Sequence, residues 1–207
     1  MKVGFGIITK GTGDEMLAKQ VESIRAQEID DFEICICGDT KITTEGIQVL
    51  PFDEEKFKDC IALKKNLITE STTAEIMVYT HDYIKFDDGW WKGIQEFGFD
   101  WDILMTRVLT MRGGRHWDWL QTAYRHAPHL PPVQNSKFVH YDDYSKMDTM
   151  YVPGNYWIAK RYVMEAEPLD NALRWCELED VEWSDRVLPK YRYRMNPNSS
   201  VSYLKDK

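Results

Sequence analysis

Apolar positions in the first half of the chain alternate between two rhythms. Val3 to Thr9 (VGFGIIT) is a nearly unbroken apolar run, as expected of a strand covered on both faces. After the glycine-bearing loop Lys10 to Gly13, the spacing lengthens. Leu17, Val21 and Ile24 share one face of a helix that Asp14 can cap and that runs to about Gln27. Phe32 to Cys37 returns to strand character and is stopped by Gly38-Asp39. Ile47 to Leu50 is a short third strand. Pro51-Phe52-Asp53 then opens a second helix. Phe57, Cys60, Ile61, Lys64, Leu67 and Ile68 recur along it at helical spacing to about Ser71. Glu75 to Thr80 is a fourth strand. The order β-α-β-β-α-β predicts an α/β sandwich with mostly parallel strands, whose ligands collect at the carboxyl ends of those strands.

The second half is less regular. Trp90 to Phe97 reads as a helix and Asp102 to Thr110 as a strand. Residues 112–150 are rich in aromatic residues, histidine and proline, with weak periodicity. Tyr151 to Ala159 reads as a strand, followed by a helix from about Arg161. Glu179 to Leu188 reads as another helix, stopped by Pro189. There is no internal repeat, low-complexity segment or linker, so a single domain over residues 1–207 is expected.

Composition narrows the function classes. A chain of 207 residues can bury a core without disulfides. Its formal charge of -8 argues against a nucleic-acid partner but leaves room for a local basic pocket. Cys35, Cys37, Cys60 and Cys176 form no metal comb and read as reduced, buried thiols of a cytoplasmic protein. Val3 to Ile8 is too short for a signal-peptide core, and no run approaches a transmembrane segment.

Candidate chemistry sits at the strand ends. Thr9, Asp39 and the Thr80-His81-Asp82-Tyr83 segment each follow a predicted parallel strand, so the winding points them into one crevice. Asp39 serves there as a ligand for a base or ribose, or as a turn residue. His81-Asp82 follows the apolar run IMVY. It is a polar turn or a ligand pair, Asp82 being a hard oxygen donor suited to Mg2+ or Mn2+. Trp175 to Trp183 carries Glu177, Glu179, Asp180 and Glu182. A carboxylate there can act as general base, or the acids simply suit a helix N-terminus. Trp117 and Trp119 can stack on a sugar or fill the core, and Arg115 can meet a phosphate. His116, His126, His129 and His140 also lie in this stretch. His140-x-Asp142-Asp143 is a metal cluster or a surface loop.

In order along the chain, these segments resemble the GT-A-fold glycosyltransferases, and specifically the family 2-like inverting enzymes. Gly6-Ile7-Ile8-Thr9 stands where such chains end their first strand. Ser23-Ile24-Arg25-Ala26-Gln27 is similar to their Ser-Ile-x-x-Gln pattern. Asp31-Phe32-Glu33-Ile34 through Gly38-Asp39 follows, then the Lys65-Asn66 step, then His81-Asp82-Tyr83 in place of Asp-x-Asp, with Gly89-Trp90 behind it. Pro153-Gly154-Asn155-Tyr156-Trp157-Ile158-Ala159-Lys160-Arg161 and Glu179-Asp180-Val181-Glu182-Trp183-Ser184-Asp185-Arg186 resemble the family's later motifs.

The resemblance implies a three-layer α/β/α sandwich with a mixed, mostly parallel sheet. Residues 1–100 would form the nucleotide-sugar-binding half and 101–207 the acceptor-binding half. Thr9 and Asp39 would touch the nucleotide, with Lys65 near it. Asp82, with His81 beside it, would bind Mn2+ or Mg2+ bridging the diphosphate of a donor, UDP-type favoured. Asp180, or its neighbour Glu179, would deprotonate the hydroxyl of a carbohydrate or glycoconjugate acceptor, with inversion at the anomeric carbon. Tyr83 departs from the motif, because it stands where a second aspartate is expected. The competing readings are a nucleotide-sugar-binding module without turnover, and a metal-dependent nucleotidyltransferase or phosphohydrolase. No P-loop string occurs.

Overall fold

The computed structural model describes residues 1–42, 44–122 and 136–206. The elements in chain order are β1 (Val3–Ile8), α1 (Asp14–Arg25), β2 (Phe32–Cys37), β3 (Ile47–Leu50), α2 (Ile61–Ser71), β4 (Ile76–His81), β5 (Ile84–Phe86), α3 (Trp90–Phe97) and β6 (Ile103–Leu109). They continue with β7 (Arg115–His116), β8 (Leu120–Gln121), β9 (Lys137–Phe138), β10 (Tyr156–Lys160), α4 (Arg161–Ala166), α5 (Glu179–Val187) and β11 (Tyr193–Tyr203). Strand order in the main sheet is β3-β2-β1-β4-β10-β6-β11-β5, with β7 paired to β6. β3, β2, β1, β4, β6 and β11 run one way, while β10 and β5 run against them. The sheet is therefore mixed and mostly parallel, as expected.

Every residue of β1 is buried, because both faces of the sheet are covered. On one face Gly6 of β1 lets α2 approach, since a Cβ there would lie 2.6 Å from Ile68. On the other face Phe5 meets Phe86 and Trp90, with ring centroids 5.2 and 5.8 Å away. α1 belongs to that second face. The Ser23 hydroxyl accepts from the Phe86 amide at 3.1 Å, and Gln27 accepts from the Trp91 amide at 3.2 Å. These contacts make the three layers.

The second helix begins at Ile61, later than the spacing predicts. The Asp53 carboxylate takes the amides of Glu55 and Lys56 at 3.1 and 2.9 Å, which closes a turn instead. Asp59, at φ 60, then breaks any continuity. The strand expected from Tyr151 begins only at Tyr156, past Pro153-Gly154. β5 and β11 have no counterpart in the sequence reading. β11 carries Pro197 at a register shift between Asn196 and Ser200, where a proline costs no ladder bond. Cys35, Cys37 and Cys60 are buried thiols, but Cys176 is exposed on a loop. Burial pushes Cys35 up to about 12 and Cys37 up to about 11.

Gly38 sets how closely β1 and β2 end together. At φ +132 it takes a conformation that favours glycine, and a Cβ there would stand 2.1 Å from the Thr9 carbonyl oxygen. Gly38→Ala should lower stability by about 3 kcal/mol, measured as a fall in the denaturant midpoint at constant slope.

Candidate active site

Parallel register brings three strand ends to one edge. Ile8 lies opposite Cys37 on one side and opposite His81 on the other, so Thr9, Asp39 and Asp82 emerge together. The Thr9 hydroxyl donates to Asp82 Oδ2 at 2.7 Å and accepts from the Gly11 amide at 3.0 Å. Asp39 is exposed and borders a shallow depression with Phe52 and Asp53, next to this pair. The side-chain amide of Gln20 donates to the carbonyl of His81 at 3.1 Å and to the Thr80 hydroxyl at 3.2 Å. That contact fixes the end of β4.

Two cavities meet at this edge. The first, about 240 Å³, is walled by Thr9, Lys10, Lys64 and Asp82. The second, about 500 Å³, is walled by Trp117, Tyr151, Gly154, Glu179 and Asp180. Ile61, His81, Tyr83 and Trp175 border both. Asp82 and the pair Glu179/Asp180 therefore stand on adjoining chambers, although they are far apart in sequence.

Lys65 does not lie where the sequence places it. It is fully buried and donates to the Gly154 carbonyl at 2.8 Å, with its ammonium 4.4 Å from the Trp157 ring centroid. It borders neither cavity and stands behind the acidic pair instead. Its neighbour Lys64 faces the first cavity, donating to the Thr9 carbonyl at 2.6 Å and pairing with Glu54. A helix turns about 100° per residue, so a one-residue step moves a side chain to another face.

α5 opens on the acidic pair. Before it, Cys176 and Leu178 both take left-handed backbone, at φ 70 and 62, a conformation that costs non-glycine residues about 1 kcal/mol or more each. Asp180 Oδ2 accepts from the Gly154 amide at 2.8 Å, and Oδ1 accepts from the Val181 amide at 2.9 Å. A Cβ at Gly154 would lie 3.0 Å from Asp180 Oδ2 and 3.1 Å from Glu179 Oε1, so this glycine gives the pair its room. Burial raises both carboxyls above the usual carboxylate range. Lys65 opposes that rise, and burial in turn lowers Lys65.

The aromatic stretch divides. Trp119 is fully buried, 4.7 Å from the Tyr193 ring, and is core. Trp117 is exposed and walls the second cavity. Arg115 is committed to Asp118 at 2.8 Å and to the carbonyls of Trp119 and Val139, so it does not face a phosphate. His140 and Asp142 pair with each other on the surface. His126 and His129 lie outside the described residues. Trp175, on the border of both cavities, escaped the sequence reading. Its only signal is a tryptophan beside an acidic run.

Asp82 supplies one carboxylate. Burial and the Asp82 charge push the Tyr83 phenol far above its ordinary value, so it offers no phenolate ligand. Among the described residues no group of three His, Cys, Asp or Glu is placed to hold a metal. The donor set fits a divalent ion that arrives with diphosphate oxygens and water as its other ligands, and does not fit one caged by protein alone.

No family model matches the chain, and no curated protein matches it in sequence. Solved structures do match it. A crystal structure of GalNAc-T7 with UDP, GalNAc and Mn2+ is 11% identical, with a TM-score of 0.71, covering 100% of this chain and 44% of that one. S. aureus TarS 1-349 in complex with UDP is also 11% identical, with a TM-score of 0.67, covering 98% of this chain and 60% of that one. The chain has the GT-A fold. It spans about half the length of these GT-A neighbours. Among the described residues, no helix of this GT-A chain is long and apolar enough to cross a membrane.

Proposed function

We propose that this chain is a glycosyltransferase that moves a sugar from a nucleoside diphosphate sugar to an acceptor hydroxyl with inversion. One observation carries the reading. Two cavities adjoin at the carboxyl edge of a GT-A sheet, one bordered by Asp82 and lysines, the other by an acidic pair of raised pKa. The nucleotide half, within residues 1–100, uses Thr9 and Asp39 at the base and ribose end and Asp82 at the diphosphate. The half within 101–207 receives the acceptor.

Asp180, oriented by the Gly154 and Val181 amides, removes the acceptor hydroxyl proton. The acceptor oxygen then attacks the anomeric carbon from the side opposite the diphosphate. The bond to the diphosphate breaks and the nucleoside diphosphate leaves with its electron pair. Glu179 beside it is the alternative base, raised by burial and by the Asp180 charge, and a raised pKa brings a carboxylate base closer to neutral pH. A divalent ion, Mg2+ or Mn2+, held by Asp82 with His81 alongside, would neutralise charge developing on the leaving diphosphate when bound. Trp117 and Trp175 offer apolar faces for sugar rings at the cavity walls.

GalNAc-T7 was solved with UDP, GalNAc and Mn2+ and TarS with UDP, which favours a UDP-type donor. The test is a panel of nucleoside diphosphate sugars with and without Mn2+, followed by calorimetry and by release of free nucleoside diphosphate. Binding with slow donor hydrolysis is expected. Absence of binding to every donor sinks the reading. Tight binding without hydrolysis or transfer to any acceptor marks a nucleotide-sugar-binding module, to which the Tyr83 departure points.

A further inference from the structure

Three ammonium groups border the smaller cavity: Lys10, Lys64 and Lys205. Two are matched by carboxylates. Lys10 meets Asp59 at 2.5 Å, and Lys64 pairs with Glu54. Among the described residues Lys205 is paired with no carboxylate, and its Nζ stands 4.0 Å from the Tyr83 ring centroid. Its position is set by the sheet. Tyr203 of β11 lies opposite Ile84 of β5, and the Leu204 amide donates to the Tyr83 carbonyl at 2.8 Å.

The charge arithmetic changes with this arrangement. An Asp-x-Asp strand end would place two negative charges at the diphosphate end, and a divalent cation would have to offset them before a diphosphate could enter. His81-Asp82-Tyr83 places one, and Lys205 borders the same cavity as Asp82. An incoming diphosphate then meets an ammonium that no carboxylate has claimed, and charge-assisted contacts of that kind are the stronger ones. We propose that Lys205 is a diphosphate-binding residue, and that it lets the nucleotide bind without a divalent metal. This rests on the donor-site reading above.

The test is calorimetry on the full chain with a panel of nucleoside diphosphates and their parent nucleosides, in EDTA and in Mn2+. The preferred diphosphate should bind in EDTA within about threefold of its affinity in Mn2+. Lys205→Met should weaken it in EDTA by about tenfold, Lys205→Arg should restore it, and nucleoside binding should stay unchanged in both. Wild-type binding that disappears in EDTA and returns with Mn2+ overturns the proposal and leaves the donor site standing. A Lys205→Met variant that binds like wild type also overturns it. If no nucleoside diphosphate binds in either buffer, the donor-site reading fails and the proposal falls with it.

Discussion

Asp180→Asn should reduce sugar transfer by about 10²-fold or more while leaving donor affinity within about twofold. The amide keeps the shape of the carboxylate and one acceptor oxygen, so the Gly154 amide still has a partner. What disappears is the ability to take a proton. In the proposed reading the donor diphosphate occupies the neighbouring cavity, so its affinity should not report on this side chain. Steady-state kinetics with separate acceptor and donor titrations checks both halves, and near-normal transfer would remove Asp180 from the mechanism. A pH profile adds a second check. The base is active when ionised, so the rate rises with pH. Burial lifts the Asp180 and Glu179 carboxyls, so the ascending limb should sit above the usual carboxylate range.

Lys65→Met should cost about 4 kcal/mol of stability, because it leaves two buried acids without the cation behind them. Methionine keeps much of the apolar stem against Trp157, so the loss reads mainly on charge. The Gly154 carbonyl also loses its donor. The variant should show a pH signature. Both carboxyls already titrate above their unfolded values, and removing Lys65 raises them further. Between the unfolded and folded pKa values the folded state binds more protons, so stability falls as pH rises through that window. The deficit should therefore be smaller at acid pH than at neutral pH, and the ascending limb of activity should move upward. Chemical denaturation at two pH values, paired with the rate profile, distinguishes this from a simple packing defect, whose cost would not follow pH.

The difference between Lys64 and Lys65 shows how far residue spacing reaches. The Lys65-Asn66 step lies on α2, where Lys64 borders the first cavity and Lys65, one position on, lies buried behind the acidic pair. Asn66 is itself structural, donating to the Leu169 carbonyl at 2.8 Å. Arg115 and Trp119 show the same limit. Their chemistry allowed a ligand role, yet Asp118 and Tyr193 claim them in the folded chain. Trp117, two residues from Trp119, faces the cavity instead.

Local pattern by itself determined the parallel half of the sheet. Apolar runs ending in polar residues at Thr9, Asp39 and His81-Asp82 are a one-dimensional signal, because parallel strands buried on both faces must be apolar along their whole length. It also marked α5 as acidic, since Glu179 and Asp180 open a short periodic segment. Tertiary structure alone decided which chamber those acids face, that Lys65 lies behind them, and that Trp175 borders both chambers. Lys205 depends on it most. Tyr193 to Tyr203 holds the turn-forming residues Asn196-Pro197-Asn198-Ser199-Ser200 in its midst. They become a strand because β6 and β5 supply partners on either side, while the Asn196 side chain satisfies the backbone at the register shift, donating to the Gly93 carbonyl and accepting from the Asn198 amide. That pairing carries Lys205 to Tyr83, across a separation in sequence that no local periodicity records.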